Sequence, residues 1–243
     1  MDWHARYTAQ AAWTRDLRAY LFQGAGLPSA RRVMEAGCGT GAVLSELPSR
    51  ASLHGLDICP AMLEECGKHA PAAIRTCGDV LALPYADETF DIVYCHFLLL
   101  WVDDPVRALR EMKRVTRPGG HVLALAEPDY TSRVDQPAAL EPLGRWQADA
   151  LRRQGADPGI GAQLARTFYQ AGLDIVETGT IRARGMKQLS PAERQSEWAV
   201  LESDLGGFIP AAELARMKAI DEAAWQSGER ILYVPTFFAW ARA

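Results

Sequence analysis

Three glycines at alternate positions, Gly37, Gly39 and Gly41, follow a short run, Val33-Met34-Glu35-Ala36, whose only charge is Glu35. The run reads as a buried strand that empties into a glycine-rich turn. Without Cβ atoms such a turn bends tightly and lets a ligand approach the main chain, which suits a nucleotide-type cofactor. The glycines alone do not choose that cofactor, because Gly37, Gly39 and Ala42 also satisfy the dinucleotide spacing G-x-G-x-x-G/A. Asp57 comes about 20 residues later, where either cofactor class sets an acid on ribose hydroxyls. Glu35 and Asp79 separate the two. A carboxylate two residues before Gly37 can orient the turn and accept from the ammonium of an amino-acid-bearing cofactor, whereas beside a pyrophosphate it would repel. Asp79, in Gly78-Asp79-Val80, suits an adenine amino group. Taken singly, Asp57 and Asp79 also fit ordinary strand-end turns, where Asp is common.

Positioning these residues takes alternating strands and helices. Residues 8–22 predict a helix, with Ala12, Trp13, Leu17, Tyr20 and Leu21 at helical spacing and Gly24 and Gly26 beyond it. Strands are expected at 32–36, 52–57, 73–77, 90–95 and 121–126, with helices at 40–47, 60–68 and 104–115. Five alternations with short connections predict an α/β fold, a doubly wound and mostly parallel sheet. Helices at 140–153 and 161–170 and a strand at 175–183 come next. Helices at 190–206 and 210–226 and a strand at 231–241 complete a seven-stranded sheet. The helical pair falls between two strands that should be neighbours, so it predicts a helical lid inserted before the last strand. The expected layout is a single domain with a helical cap at 1–30, a core at 31–186 and 229–243, and a lid at 187–228.

Two further motifs, Phe90-Asp91-Ile92-Val93 and Arg117-Pro118-Gly119-Gly120-His121, complete an ordered set of five. The run from about Arg31 to Asp129 resembles the class I S-adenosylmethionine-dependent methyltransferases, in particular the methyltransferase type 11 group. That resemblance implies a Rossmann-like fold, S-adenosylmethionine as cofactor and S-adenosylhomocysteine as product. It further implies that Glu35, Gly37, Cys38 and Gly39 hold the methionine part, largely through backbone. Asp57 then takes the ribose, Ile58 and Met62 line the adenine, Asp79 faces its amino group and Val80 supplies the adjacent backbone donor. Met62 equally suits core filling, since Met packs irregular gaps. Cys95 and His96 would stand where the cofactor's methyl end meets the acceptor. In the first helix Arg15 can pair bidentately with the cofactor carboxylate, and Tyr7 and Trp13 can close over it.

Methyl transfer from a sulfonium is an in-line displacement whose leaving thioether needs no proton, so alignment and desolvation carry most of the catalysis. A base is required only where the acceptor must lose a proton. His96, in Tyr94-Cys95-His96-Phe97, is the candidate, because a neutral imidazole titrates in the useful range; the other reading is a histidine bonded to backbone beside the cofactor. Tyr130 is a second catalytic candidate. Trp101, Glu127, Asp129, Tyr130 and Arg133 are candidate acceptor contacts, and Glu127-Pro128-Asp129-Tyr130 fits either a polar acceptor group or a solvated loop mouth. Trp198, Phe208 and Trp225 in the lid fit core or acceptor wall.

Composition narrows the acceptor. At 243 residues, with a net charge of −4 and a pI near 5.8, the chain lacks the basic footprint of a nucleic-acid binder. Cys95-His96-Phe97-Leu98 stands where base-amino methyltransferases carry Asn-Pro-Pro-Tyr or Asp-Pro-Pro-Tyr. Asp103-Asp104 reads as a helix start rather than a metal pair, so no metal is expected. Five cysteines without a C-x-x-C pair suit free thiols in a reducing compartment. No secretory pattern opens the chain, and no apolar run nears the ~20 residues of a membrane span. The expectation is a cytoplasmic enzyme, monomer or homodimer, acting on a small-molecule methyl acceptor, with neither nucleic acid nor membrane as partner.

Overall fold

The structure, a computed structural model, describes residues 2–48, 50–181 and 189–243. Two helices, α1 (Trp3–Trp13) and α2 (Arg15–Gly24), precede β1 (Arg32–Ala36), β2 (Ser52–Asp57), α3 (Pro60–His69) and β3 (Ile74–Cys77). Next come β4 (Phe90–Cys95), α4 (Pro105–Val115), β5 (Thr116–Pro128) and a short β6 (Val134–Gln136). The chain continues through α5 (Glu141–Arg153), α6 (Ile160–Gln170), β7 (Asp174–Ile181), α7 (Pro191–Leu205), α8 (Ala211–Ser227), β8 (Ile231–Tyr233) and β9 (Thr236–Arg242).

Seven strands form one sheet in the order β3-β2-β1-β4-β5-β9-β7, and only β9 runs against its neighbours. The central strands are apolar nearly throughout because both faces are covered. In β4 every residue but Asp91 is buried. One face packs under α4 and α6 through Leu109, Met112, Leu164 and Phe168. The other packs under α1, α2 and α3 through Ala11, Leu21, Phe22, Leu63 and Cys66. Each large side chain so buried contributes roughly 1.5–3 kcal/mol. Strand order reverses between β1 and β4, and the crevice beyond their carboxyl ends is where α/β sheets hold ligands. Glu35 there lies in register between Gly55 of β2 and Tyr94 of β4.

Several elements differ from expectation, each for a local reason. The helix expected at 40–47 is only a 3-10 turn, Leu44–Glu46, because the glycine turn runs to Gly41 and Pro48 stops any continuation. The first helix is broken at Thr14, whose hydroxyl bonds back to the Ala11 carbonyl at 3.1 Å. Strand β5 starts at Thr116 rather than 121, pairing with Phe90 before a bulge lets Ile92 meet His121. The strand expected at 231–241 is two strands. Pro235 has no N–H to give and its carbonyl accepts from Asp129 N at 2.7 Å, so β8 pairs with β6 while β9 enters the main sheet. Residues 182 and 183, expected to end β7, lie outside the described residues.

The helical pair between β7 and β9 does not pack alone. Trp198, Leu201 and Leu205 of α7 and Leu214 and Met217 of α8 share a core with Leu143 and Ala150 of α5. Beneath them runs a chain of buried charges. Trp198 Nε1 donates to Asp221 at 2.7 Å, and Arg230 bonds Asp221 at 2.5 Å and Asp135 at 2.6 Å. Arg133 bonds the same Asp135 at 2.7 Å. The helical pair is thus tied to the β6 segment by paired guanidinium and carboxylate groups.

Candidate active site

The glycine turn is built for close approach. Gly37 has φ +69°, and a Cβ there would stand 2.6 Å from the Leu98 side chain. Asp57 ends β2 with both carboxylate oxygens directed at backbone: Oδ2 accepts from Gly39 N at 2.8 Å and Oδ1 from Cys59 N at 2.9 Å. One side chain therefore ties the glycine turn to the start of α3. Asp79 caps the next turn, accepting from Leu81 N at 2.8 Å, and its neighbour Val80 is buried. Ile58, next to Asp57, stands 70% exposed, and Met62 is half-buried in the first turn of α3. An exposed branched apolar side chain beside a strand-end carboxylate suits an adenine ring next to a ribose.

Glu35 is buried at the end of β1 and accepts from the Tyr94 hydroxyl at 3.0 Å. Burial pushes its carboxyl up to about 8, against the pull of the Tyr94 hydrogen bond and the Arg18 guanidinium. A carboxyl this high is poised to ionise when a cation arrives, as an amino-acid ammonium would. Arg18, buried within α2, is a neighbour of the site that the sequence reading misses. It donates to the Ala11 carbonyl and the Thr14 hydroxyl and pairs with Glu46. A signal for it exists: Ala11, Thr14, Arg18, Leu21 and Phe22 fall on one helical stripe, and a charged member of an apolar stripe needs a buried partner.

Helix α1 covers the turn. His4 Nδ1 meets Thr40 Oγ1 at 3.0 Å, and the Tyr7 ring lies 3.4 Å from the position of a Cβ on Gly39. The His4 ring stacks on His69 of α3 with centroids 3.3 Å apart, and Trp13 stands exposed. Arg15, expected at the cofactor carboxylate, turns outward. It bonds Glu46 at 3.1 Å and lines a groove of about 670 Å³ along α2.

His96 leaves β4 beneath these helices, its Nε2 3.0 Å from the Thr14 hydroxyl. Burial and the Arg18 guanidinium push its imidazole down to about 3, so it is neutral at physiological pH and a weak proton acceptor. Burial pushes the Tyr130 phenol up to about 12, so it stays protonated. Cys95, beside His96, is fully buried and its thiol is pushed well up by burial.

The expected acceptor contacts divide. Trp101 is 48% exposed and Tyr130 half-buried. Glu127 is fully buried, with Oε1 accepting from Leu98 N at 3.0 Å and Leu99 N at 3.1 Å. Asp129 caps its own turn, accepting from Thr131 N at 2.9 Å. Arg133 is committed to Asp135 and to Gln147, at 2.5 Å from the latter. All three are engaged by the protein itself: Glu127 by the loop after β4, Asp129 by its own turn, and Arg133 by β6 and α5. Of the aromatic residues expected in a lid, Trp198 is core, Phe208 is half exposed under the Arg153 guanidinium, and Trp225 stands beside Arg194. All five cysteines are free, and no group of three metal-ligating side chains occurs among the described residues. Among those residues no helix is long and apolar enough to cross a membrane.

Comparison with known proteins bears on the family and the fold. Residues 34–124 match a family model described as a methyltransferase domain. The chain is 41% identical over 217 residues to a malonyl-[acyl-carrier protein] O-methyltransferase of Halorhodospira halophila, covering 81% of this chain and 68% of that protein. It is 38% identical over 157 residues to a demethylmenaquinone methyltransferase of Renibacterium salmoninarum, covering 64% and 66%. Among solved structures, the geranyl diphosphate C-methyltransferase of Streptomyces coelicolor, held with S-adenosylhomocysteine, superposes over 94% of this chain and 78% of its own. Its TM-score is 0.58 at 12% identity, a likeness of fold.

Proposed function

Because this chain belongs to the class I S-adenosylmethionine-dependent methyltransferases, type 11 group, we propose that it methylates an ionised oxygen, a carboxylate, on a small or acyl-carrier-linked acid. The cofactor supplies an electrophilic methyl on a sulfonium. On this reading Glu35 receives the cofactor's ammonium, Asp57 its ribose hydroxyls and Asp79 its adenine amino group, while Ile58, Met62 and Val80 flank the ring. The turn at Gly37, Cys38 and Gly39 lets the methionine part lie against backbone. Helix α1, carrying Tyr7, excludes water from above.

The acceptor class is supported by the state of the two catalytic candidates, His96 and Tyr130. His96, pushed down to about 3, draws a proton weakly, and Tyr130, pushed up to about 12, holds its own. Neither suits removing a proton from an alcohol or a carbon acid near neutral pH. A carboxylate has no proton to remove and needs only alignment, and effective molarities of about 10⁵ M or more become available once the geometry is right. The name of the Halorhodospira relative, an O-methyltransferase of a malonyl thioester, favours the same acceptor atom.

The test supplies methyl-labelled S-adenosylmethionine with a malonyl thioester and, separately, a phenol and an amine. Label released as methanol on mild alkali marks a methyl ester and supports the reading. Label that survives alkali on the phenol, the amine or carbon refutes it.

A further inference from the structure

The loop after β4 is held in an unfavourable shape. Phe97 has φ +54°, uncommon for an aromatic residue, and such backbone persists only where its surroundings over-determine it. Its N–H bonds the Ala126 carbonyl at 2.9 Å, and its ring meets His96 edge-on at 4.7 Å. Leu98, the next residue, presses on Gly37 of the glycine turn so closely that a Cβ there would be 2.6 Å away. The loop thus touches the methionine end of the cofactor site with one residue and carries the transfer-point histidine with another.

Glu127 anchors this loop from below. Its carboxylate is fully buried at the end of β5, and Oε1 gathers Leu98 N at 3.0 Å, Leu99 N at 3.1 Å and the Cys95 thiol at 3.9 Å. Its second oxygen has no hydrogen-bond partner among the described residues. A buried carboxyl half unsatisfied is an expensive way to hold a loop, and burial pushes it up to about 7. An apolar residue would fill the same volume without that penalty, but two amides would then lack acceptors.

We propose that Glu127 is a positioning residue for methyl transfer: by gripping the Leu98 and Leu99 amides it sets the His96–Leu98 loop at the height that aligns acceptor with donor. The adenosine contacts at Asp57 and Asp79 lie on other elements and only Leu98 reaches the methionine end, so the effect is far larger on transfer than on cofactor affinity. The inference rests on the chain acting as a methyltransferase and not on which acceptor it uses.

The experiment compares Glu127→Ala, Glu127→Gln and Glu127→Asp. S-adenosylhomocysteine affinity is read by calorimetry and kcat with a malonyl thioester. In Glu127→Ala kcat is expected to fall about 100-fold, the scale of a 1 Å misplacement, with the affinity within threefold. Glu127→Gln keeps a carbonyl oxygen at the same reach and is expected to recover to within tenfold. Glu127→Asp keeps the charge but withdraws it by one methylene, and is expected to lose more than Glu127→Gln. A kcat for Glu127→Ala within threefold of the parent overturns the proposal, and so does affinity falling in step with kcat. If Glu127→Ala does not fold, the order of the other two variants decides, and Glu127→Asp outperforming Glu127→Gln overturns it. Should the parent not use the thioester, the acceptor reading has failed. Glu127 is then judged by amide exchange at residues 98 and 99 with S-adenosylhomocysteine bound. Exchange about 100-fold faster in Glu127→Ala and near parental in Glu127→Gln supports it; unchanged exchange in Glu127→Ala refutes it.

Discussion

Replacing Glu35 by Gln separates the energetics of the empty and filled cleft. The carboxyl is buried beside Tyr94 and rises from 4.5 in the unfolded chain to about 8 in the folded one. Folding therefore takes up a proton at pH values between these two, and the stability this group contributes falls as pH climbs through that window, then levels off above about 8. A displacement of this size corresponds to about 5 kcal/mol across the window, at 1.36 kcal/mol per pH unit. Glu35→Gln keeps an oxygen for the Tyr94 hydroxyl at 3.0 Å but cannot ionise. Urea unfolding of both proteins from pH 5 to pH 9 should show the parent losing several kcal/mol relative to the variant as pH rises. Other titrating groups are common to both and cancel. Saturating S-adenosylhomocysteine should erase much of the slope, since its ammonium beside Glu35 favours the charged form. Binding at pH 7 should then release up to one proton, read by calorimetry in buffers of different ionisation enthalpy. Parallel stability curves, or binding without proton release, would refute the role given to Glu35.

Asp57→Ala leaves the Gly39 and Cys59 amides without their acceptor, and calorimetry should show S-adenosylhomocysteine affinity falling at least tenfold; a change within twofold counts against it. Asp221→Ala removes one of the two carboxylates on the buried Arg230, leaving Asp135, and takes the acceptor from Trp198 Nε1; it should lower the free energy of unfolding by about 1–3 kcal/mol in urea titrations. Because His96 stays neutral down to about pH 3, His96→Gln should leave the kcat profile with the thioester unchanged in shape between pH 6 and 7. An inflection there that His96→Gln removes and Glu127→Gln retains would contradict the neutral imidazole.

Much of the scaffold on the cofactor side is legible in the sequence. Strands β1 and β4 fall where the apolar runs predict, because a parallel strand covered on both faces can hardly be anything but apolar. The order glycine turn, Asp57, Asp79 comes from that alternation, since Asp57 ends β2 and Asp79 stands just past the end of the neighbouring parallel β3. The acceptor side is much less legible. Glu127, Asp129 and Arg133 cluster after a strand, as contacts to a ligand do, yet they bond Leu98 and Leu99, Thr131, and Asp135. Nothing local in a sequence announces partners that the fold brings in from elsewhere. Arg18 hides for the opposite reason, being a charge on a helical stripe that turns inward. Proline decides two boundaries: Pro48 stops a helix, and Pro235 divides a strand between two sheets.

Strand β9 makes the maturation of the chain discontinuous. Among the described residues, β7 has no neighbour in the sheet except β9, which is made later and must slide between β7 and β5. Until it does, β5 and β7 each present an open edge, the kind of surface that recruits foreign strands. On the ribosome, this half of the sheet cannot close as it is synthesised. Meanwhile Arg6 in the cap awaits Glu197 of α7, its ion-pair partner at 2.5 Å. The cofactor crevice can form early from β1 to β4, but its cover is completed only when the late helices and β9 arrive. Deleting β9 should therefore remove β7 from the sheet as well and expose the nascent edges to aggregation.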